Sequence, residues 1–513
     1  MFSTLESSMA TTATPTAAVG TEPGPAGLPA VLSAVHLVGI TEAGMEGLAL
    51  HLAGRSARVS GSAHLDEVGG HVAGRLRAAG VNVQGQLAEA EVGELSAMVW
   101  SRAVARSHPE LDAALSHRVP VLARTHALAL ACAGFGGGSG LAAVWGSHST
   151  ATASAALTHL LDDGRTGWIL NTPAPDAPAG HHGAARLVVD LSPDTATHET
   201  VPASPAYLPP GALARPTPAP AAMLITAIDP NAPHHEDLPA ALAMAEHQAR
   251  TASTVVVPDI AWWNKPLTFL RERLADRPGP EVVTVGYSSR CGVRIMELER
   301  VDGGGYWAEL RYGKTKFRSV VPATGLHHAV TATCAVATAL VLGEDPDAVA
   351  QRLARFGGVE GSMQRLGTRR GITVVRSRAR HVSEVARDLQ AAREIAGRGK
   401  VIAVLEPDGY TRTLAQAHSL GAALSHGHRA VLLPVAAGLP VLDVEDPLEA
   451  VAAAARKSLP AERVHTVRTG PSSPSAEEIV AGHAKDGDVV LVIGTHRAPA
   501  VAERLLALLD ATP

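Results

Sequence analysis

Gly146-Ser147-His148-Ser149-Thr150-Ala151-Thr152 stands between an apolar run, LAAVW, and a helical pattern, SAALTHLL. A glycine-led turn that opens a helix presents backbone N–H groups to an anion, and the helix dipole strengthens the attraction. A working triphosphate loop also needs a lysine for the β- and γ-phosphates and a hydroxyl after it for Mg2+. Thr150 holds the lysine position and Ala151 the hydroxyl position, so the cradle remains without its cation and metal hook. Gly313-Lys314-Thr315 is a decoy, because no glycine stands five positions earlier and the surrounding alternation is that of a hairpin.

A second glycine turn, Gly39 to Gly47, follows AVHLVGI and opens the helix pattern MEGLALHLAG. That context suits a phosphate at a helix N-terminus. Thr41 and Glu42 fall where such a turn wants small residues, and Glu42 would repel a pyrophosphate; the other reading is a turn that packs the helix on the sheet. Asp190 ends RLVVD, and Asp229, His234, His235, Glu236 and Asp237 follow LITAI. Hard oxygen ligands at strand ends beside a phosphate loop suit Mg2+, which makes Asp190 and His235 candidate ligands; ordinary loop carboxylates are the alternative. Gly-x-Ser-x-Gly, His-Glu-x-x-His and Cys-x-x-Cys are all absent.

The elements that must carry these residues read as α/β. Strand-like and helix-like patterns alternate from Ala34: AVHLV, a helix, a strand at Ala57 to Ser60, a helix over Gly69 to Ala79, then VNVQG. LAAVW, ARLVVDL and MLITAID are buried-strand runs, Asn171 to Gly183 is loop-like, and Ser192 to Ala222 is a proline-rich excursion. From Val282 to Val321 the pattern VVTVGY, GVRIMELERV, GYWAELRYG, KFRSVVP alternates like antiparallel hairpins, followed by the helix HHAVTATCAVATALVLG. Past Leu366, strands and helices alternate again, with a helix over Ser383 to Ala396. The divisions expected are a disordered tail at 1–32, a nucleotide-binding-like domain at 33–134, a central domain at 135–366 with an antiparallel insertion, and a last α/β domain at 367–513.

Of 513 residues, 46% are hydrophobic and only 3% aromatic, so the cores are built from small aliphatic side chains. The net charge of −5 offers no basic excess for nucleic acid. Three cysteines are too few for a disulfide framework, and no apolar run reaches the roughly 18 residues that span a bilayer. These features point to a cytoplasmic protein with no membrane span; most of the 24 histidines read as ordinary structural or solvated positions.

In order and in segment content the chain resembles the Mur ligase family of peptidoglycan synthesis, most closely the branch that adds L-alanine to UDP-N-acetylmuramate. HLVGITEAGMEGLA is similar to that family's His-Phe-Val-Gly-Ile-Gly-Gly-x-Gly-Met-Ser-Gly, and VSGSA to its Val-Ser-Gly-Ser-Asp. The Gly146 loop resembles Gly-Thr-His-Gly-Lys-Thr-Thr-Thr, TGLHHAVTATCAVA the Gly-x-His-Asn-x-x-Asn helix on the adenine side, and GYTRT the Arg-Tyr-Thr-Arg-Thr of the third domain. The resemblance implies a Rossmann-like UDP-sugar domain, a central ATP domain and a mobile C-terminal domain. It implies ATP and Mg2+ as cofactors, UDP-sugar contacts at Gly39, Gly44, Met45, Ser60, Gly61 and Ser62, an ATP loop at Gly146 to Thr152, Asp190 and His235 as metal ligands, and catalytic candidates in His235 and Arg412.

The departures cluster where the chemistry sits. The loop's Gly-Lys-Thr is Ser149, Thr150, Ala151; the uridine-side aspartate is Ala63; the two adenine-side asparagines are His328 and Thr331. Losing one preorganised charge-stabilising donor removes about 10² to 10³ in rate. The expectation is therefore a pseudoenzyme: an impaired or inactive relative that binds a UDP-sugar precursor or a cell-wall protein and needs no cofactor. The alternative is an active ATP-dependent ligase in which Arg376, Arg378 or Arg380 replaces the lysine, although those three also read as a solvated basic strand edge.

Overall fold

The computed structural model describes residues 28–511 except 43, 102–103, 105–106, 136–139, 175–176, 192–218, 230–236, 302–303, 437–445 and 469–472. Three sheets follow one another along the chain. The first is parallel: β1 (Ala34–Val38), β2 (Arg58–Ser62), β3 (Asn82–Gln84), β4 (Ala97–Trp100) and β5 (Val121–Ala123), in the order β3-β2-β1-β4-β5. The order reverses beside β1, so the crevice at its C-terminal end, where Gly39 and Gly44 turn, is where such sheets take ligands.

The second sheet has ten strands: β6 (Leu141–Trp145), β7 (Thr166–Ile169), β8 (Gly180–His181), β9 (Arg186–Asp190), β10 (Ala222–Ile225), β11 (Thr254–Pro258), β12 (Glu281–Gly286), β13 (Val293–Arg300), β14 (Tyr306–Tyr312) and β15 (Thr315–Val321). β6 lies between β9 and β10, all three parallel, which puts the Gly146 loop at a second switch point. The third sheet comprises β16 (Gln364–Arg369), β17 (Ile372–Ser377), β18 (Val401–Leu405), β19 (Arg429–Leu432), β20 (Val464–Thr466) and β21 (Val489–Ile493), in the order β16-β17-β21-β18-β19-β20. It is parallel except for β16.

Three expectations change. Leu28 and Leu32 are fully buried and Val31 nearly so, all within the first core, so packed chain includes 28–32; the rest of the supposed tail lies outside the described residues. VVTVG is not part of a hairpin: β12 pairs parallel with β11 along its length, and the antiparallel ribbon is β13-β14-β15 alone. A half-buried parallel strand gives the same Val-rich run as a hairpin arm, so composition could not separate them. Asn171 to Gly183 is not wholly loop, because Gly180–His181 forms β8 against β7. Ser192 to Ala222 falls outside the description up to residue 218. Gly313 and Lys314 do form the tight turn between β14 and β15.

One continuous apolar core runs from the first sheet into the second. The helix Met45–Gly54 lies on β7 and β8 so closely that a Cβ on Gly47 would sit 2.4 Å from the Leu170 carbonyl oxygen, and one on Gly180 2.0 Å from that of Gly47. The third sheet has its own two cores, one on each face. It meets the rest of the molecule largely through polar contacts, including the charge chain Glu46–Arg75–Glu360–Arg376 (2.7, 3.9 and 3.6 Å). That difference makes the third domain the separable one: an apolar core resists splitting, whereas a polar interface can be rehydrated.

Candidate functional site

The Gly146 loop is stitched to the end of β10. Ser147 N–H donates to the Ala227 carbonyl (2.9 Å), Asp229 N–H to Ser147 Oγ (2.9 Å) and the Thr226 hydroxyl to the His148 carbonyl (2.6 Å). A Cβ at Gly146 would lie 2.2 Å from Thr226 Oγ1, so only glycine fits. Trp263 Nε1–H and the Asn264 amide hold residues 226–228 from the other side. Ser149 caps the helix Thr150–Leu161 with φ +64°, a left-handed conformation that disfavours any side chain. The backbone thus keeps a glycine conformation where the side chain is serine.

The third domain closes over this loop with a single helix. In Val382–Ala396, positions 384, 387, 388, 391 and 394 repeat at helical spacing and share one face. Glu384 Oε1 accepts from Ser149 N–H (3.2 Å). Arg387 donates to the Trp263 carbonyl (2.5 Å) and stacks over its ring at 4.6 Å. Asp388 meets His327 (2.9 Å), Ala391 lies under Gly325, and Glu394 accepts from the Tyr306 hydroxyl (3.0 Å). At the helix start, His381 Nδ1 is 3.3 Å from Asp229 Oδ2, and its ring lies 5.9 Å from that of His148.

The carboxylate of Glu384 therefore takes an amide N–H that a phosphate loop offers to its anion. Burial works to raise its pKa, but the imidazoles of His148 and His381 and the N–H donors of Ser149 and Arg380 outweigh it, so the group lies below the usual carboxylate range. Burial also pushes His148 down to about 4, which keeps that ring neutral at physiological pH. Arg387 is close enough to contribute to that shift, and its Nη1 is buried without a hydrogen-bond partner among the described residues.

The expected residues are distributed unevenly. Ser147, His148 and Ser149 are brought together with Asp229, His381 and Glu384, Thr150 opens the following helix, and Thr152 meets His328 of the helix Leu326–Val341. Asp190, fully buried at the end of β9, is reached by the Ser154 hydroxyl (3.3 Å). His234, His235 and Glu236 lie outside the described residues. Arg412 bonds the Arg380 carbonyl (2.8 Å) and pairs with Asp408 (3.5 Å) inside the third domain. Arg376, Arg378 and Arg380 are not a solvated edge: all three are half-buried, with Arg376 on Gln364 and Glu360 and Arg380 on Asp408.

In the first domain, much of the polar chemistry read as ligand-facing is turned inward. Gly39 and Ile40 N–H both donate to the Ser62 carbonyl, and Met45 N–H to that of Glu42. Ser60 Oγ contacts His36 Nδ1 (2.9 Å), and the Ser62 hydroxyl donates to buried Glu110 (2.6 Å). Gly61 has no room for a Cβ, which would lie 2.4 Å from Ile40 Cδ1. At Gly44 a Cβ would come within 2.6 Å of Arg124 Nη1, so a buried guanidinium flanks this turn.

Glu384, Arg387 and Asp388 escaped sequence reasoning. Their signal was available in their i, i+3, i+4 spacing, but charges at that spacing on a helix usually mark a solvated face.

A glycine-led loop over a parallel sheet, preceded by a Rossmann-like domain and capped by a third α/β domain, defines a three-domain α/β architecture. The profile described as Mur ligase family, catalytic domain matches residues 34–135, and Mur ligase, glutamate ligase domain matches 361–496. A UDP-N-acetylmuramate–L-alanine ligase of Kineococcus radiotolerans is 31% identical over 487 residues, 93% of this chain and 96% of its own length. One from Saccharopolyspora erythraea is 30% identical over 506 residues, 95% of each. The crystal structure of the UDP-N-acetylmuramate–alanine ligase of Thermotoga maritima shares the fold with a TM-score of 0.72 at 18% identity, covering 93% of this chain and 99% of that one. The chain belongs to the Mur ligase family.

Set against what ATP with Mg2+ requires, the loop does not fit. It has no ammonium at Thr150 and no hydroxyl at Ala151, and an ionised carboxylate already sits on the Ser149 amide. Asp190 is of the right type for Mg2+, but one carboxylate does not replace the missing cation. Among the described residues, no helix is long and apolar enough to cross a membrane.

Proposed function

We propose that this Mur ligase relative works around peptidoglycan precursor synthesis as a binding, scaffold or regulatory protein with impaired or absent ligase activity. The observation that carries the reading is the Glu384 carboxylate on Ser149 N–H, in a loop whose lysine position is Thr150. Anion cradles discriminate by charge, and a fixed carboxylate there opposes a triphosphate by like-charge repulsion. The chain meets UDP-sugar precursors or a cell-wall protein through its first two domains, in the cytoplasm where such precursors are made.

A second reading is an active ATP-dependent ligase that joins UDP-N-acetylmuramate, or another carboxylate, to L-alanine or another amino acid. Similarity to curated alanine ligases along 93% of the chain favours it, as does the Nη1 of Arg387, a guanidinium nitrogen near the loop without a hydrogen-bond partner among the described residues. One experiment separates the two: phosphate release by the purified chain with ATP-Mg2+, UDP-N-acetylmuramate and L-alanine, together with calorimetric titration by each nucleotide. No acceptor-dependent release and no heat from ATP supports the first reading. Release that needs both acceptors and is lost in Arg387→Ala establishes the second.

A further inference from the structure

Three ligand-type atoms converge where the helix Leu326–Val341 meets the docked face of Val382–Ala396. His327 Nε2 is 2.9 Å and His328 Nε2 3.8 Å from the same Asp388 oxygen, Oδ1, and one ligand-type atom from each of the three residues lies within 4.8 Å of the others. The two imidazoles are consecutive in sequence, yet their rings lie 4.0 Å apart at 41°, which brings both Nε2 atoms to one side.

The surroundings are those of ligands held from behind. Ser377 hydroxyl donates to the other Asp388 oxygen, Oδ2. His328 Nδ1 lies 3.2 Å from Thr152 Oγ1, so the ring's other nitrogen is occupied by a hydroxyl. The His328 Nε2 is buried and has no hydrogen-bond partner among the described residues. Asp388 Oδ1, 3.8 Å away, is too distant to satisfy it, so this buried nitrogen lacks a partner that a cation lying between the two groups would supply. Metal-bound imidazoles and carboxylates typically have their second nitrogen or oxygen occupied in this way.

We infer that His327, His328 and Asp388 form a site for one borderline transition-metal dication of the Zn2+ type, clipping the third domain onto the central one. Two imidazole nitrogens and one carboxylate oxygen suit Zn2+ rather than Mg2+, which prefers oxygen ligands in an octahedron. Ligands about 2.0–2.1 Å from a tetrahedral metal are separated by about 3.3 Å, between the two distances seen, so small ring rotations complete the geometry. The His328 side chain keeps 13% of its surface exposed, while its Nε2 is buried. The site adjoins the Gly146 loop through Thr152 and His328, and its test needs no ligase activity.

The test uses the full chain, stripped with a chelator and titrated with ZnCl2 alone, in competition with a fluorescent zinc indicator. We expect one Zn2+ per chain with Kd below about 10 µM, no competition from millimolar Mg2+, and a rise in Tm on zinc addition. His328→Asn is expected to weaken binding at least tenfold and to abolish the Tm rise; Thr152→Val weakens it by about tenfold, as loss of an outer contact does. Because Asp388→Asn risks loosening the whole interface, His328→Asn decides. Kd above about 10 µM, or an affinity in His328→Asn within threefold of the parent, overturns the site, since zinc would then be held weakly or by other histidines.

Discussion

Restoring the lysine and hydroxyl alone should not restore nucleotide binding, because Glu384 remains in the way. The variant Thr150→Lys/Ala151→Thr supplies the missing ammonium and metal hook, but the carboxylate still accepts from Ser149 N–H at 3.2 Å. A phosphate bound at those amides would bring an anionic oxygen to about 4 Å from that carboxylate, and at an effective dielectric near 20 two like charges at that spacing repel by about 4 kcal/mol. Glu384 stays ionised at neutral pH, since its pKa lies below the ordinary value, so the repulsion is present under assay conditions. A penalty of that size is about 10³ in Kd. Adding Glu384→Gln to the double variant keeps the shape and removes the charge, so isothermal titration with ATP-Mg2+ should show Kd tightening by about 10² to 10³ from the double to the triple variant. Glu384→Gln alone should gain far less, lacking the ammonium. If the double and triple variants bind ATP within about fivefold of each other, with matching Tm, the carboxylate does not guard the loop and the electrostatic reasoning is wrong.

Three further outcomes follow from the packing and the titrating groups. His51 and His148 are driven by burial from 6.5 to about 3 and about 4, so below pH 6.5 the unfolded chain takes up protons that the folded chain refuses. Their contribution is intact above pH 6.5 and is lost as pH falls toward 4, at up to about 1.4 kcal/mol per unit for each ring; Tm measured from pH 7.5 to 4.5 should drop steeply, and a flat profile contradicts it. Gly47→Ala places a methyl 2.4 Å from the Leu170 carbonyl oxygen and should destabilise by about 1–3 kcal/mol in urea unfolding, whereas Gly80→Ala, open to solvent but at φ +81°, should cost only the backbone strain of about 1 kcal/mol. Arg75→Ala strips buried Glu46 of a two-pronged partner at 2.7 and 2.9 Å and should cost about 3 kcal/mol, part of it recovered by adding Glu46→Gln. Additive losses in the double variant would show that the pair is uncoupled.

What the sequence determined by itself was everything written in local pattern. Runs such as LAAVW, RLVVD and DVVLVIG are buried on both faces and could only be strands, and the residues between them carry helical periodicity, so the three α/β units and the place of the Gly146 loop were legible. The absence of a lysine at Thr150 was equally plain, being a matter of residue identity. Runs that can serve two geometries were not legible: VVTVG was consistent with a hairpin arm and is a parallel strand, since backbone pairing partners are not encoded in a strand's own alternation.

Tertiary structure alone decided which charges meet. Glu384 is 235 residues from Ser149 and Asp388 is 61 from His327, and nothing local in either segment specifies that contact. Arg376, Arg378 and Arg380 looked like a solvated edge and are half-buried at a domain junction, while Ser60 and Ser62 looked ligand-facing and are engaged by His36 and Glu110. The physical reason is common to these cases. Burial of an apolar side chain rewards any apolar neighbour and so follows from composition and period, whereas a buried charge is tolerated only beside one particular partner, and that partner is supplied by the way distant elements dock.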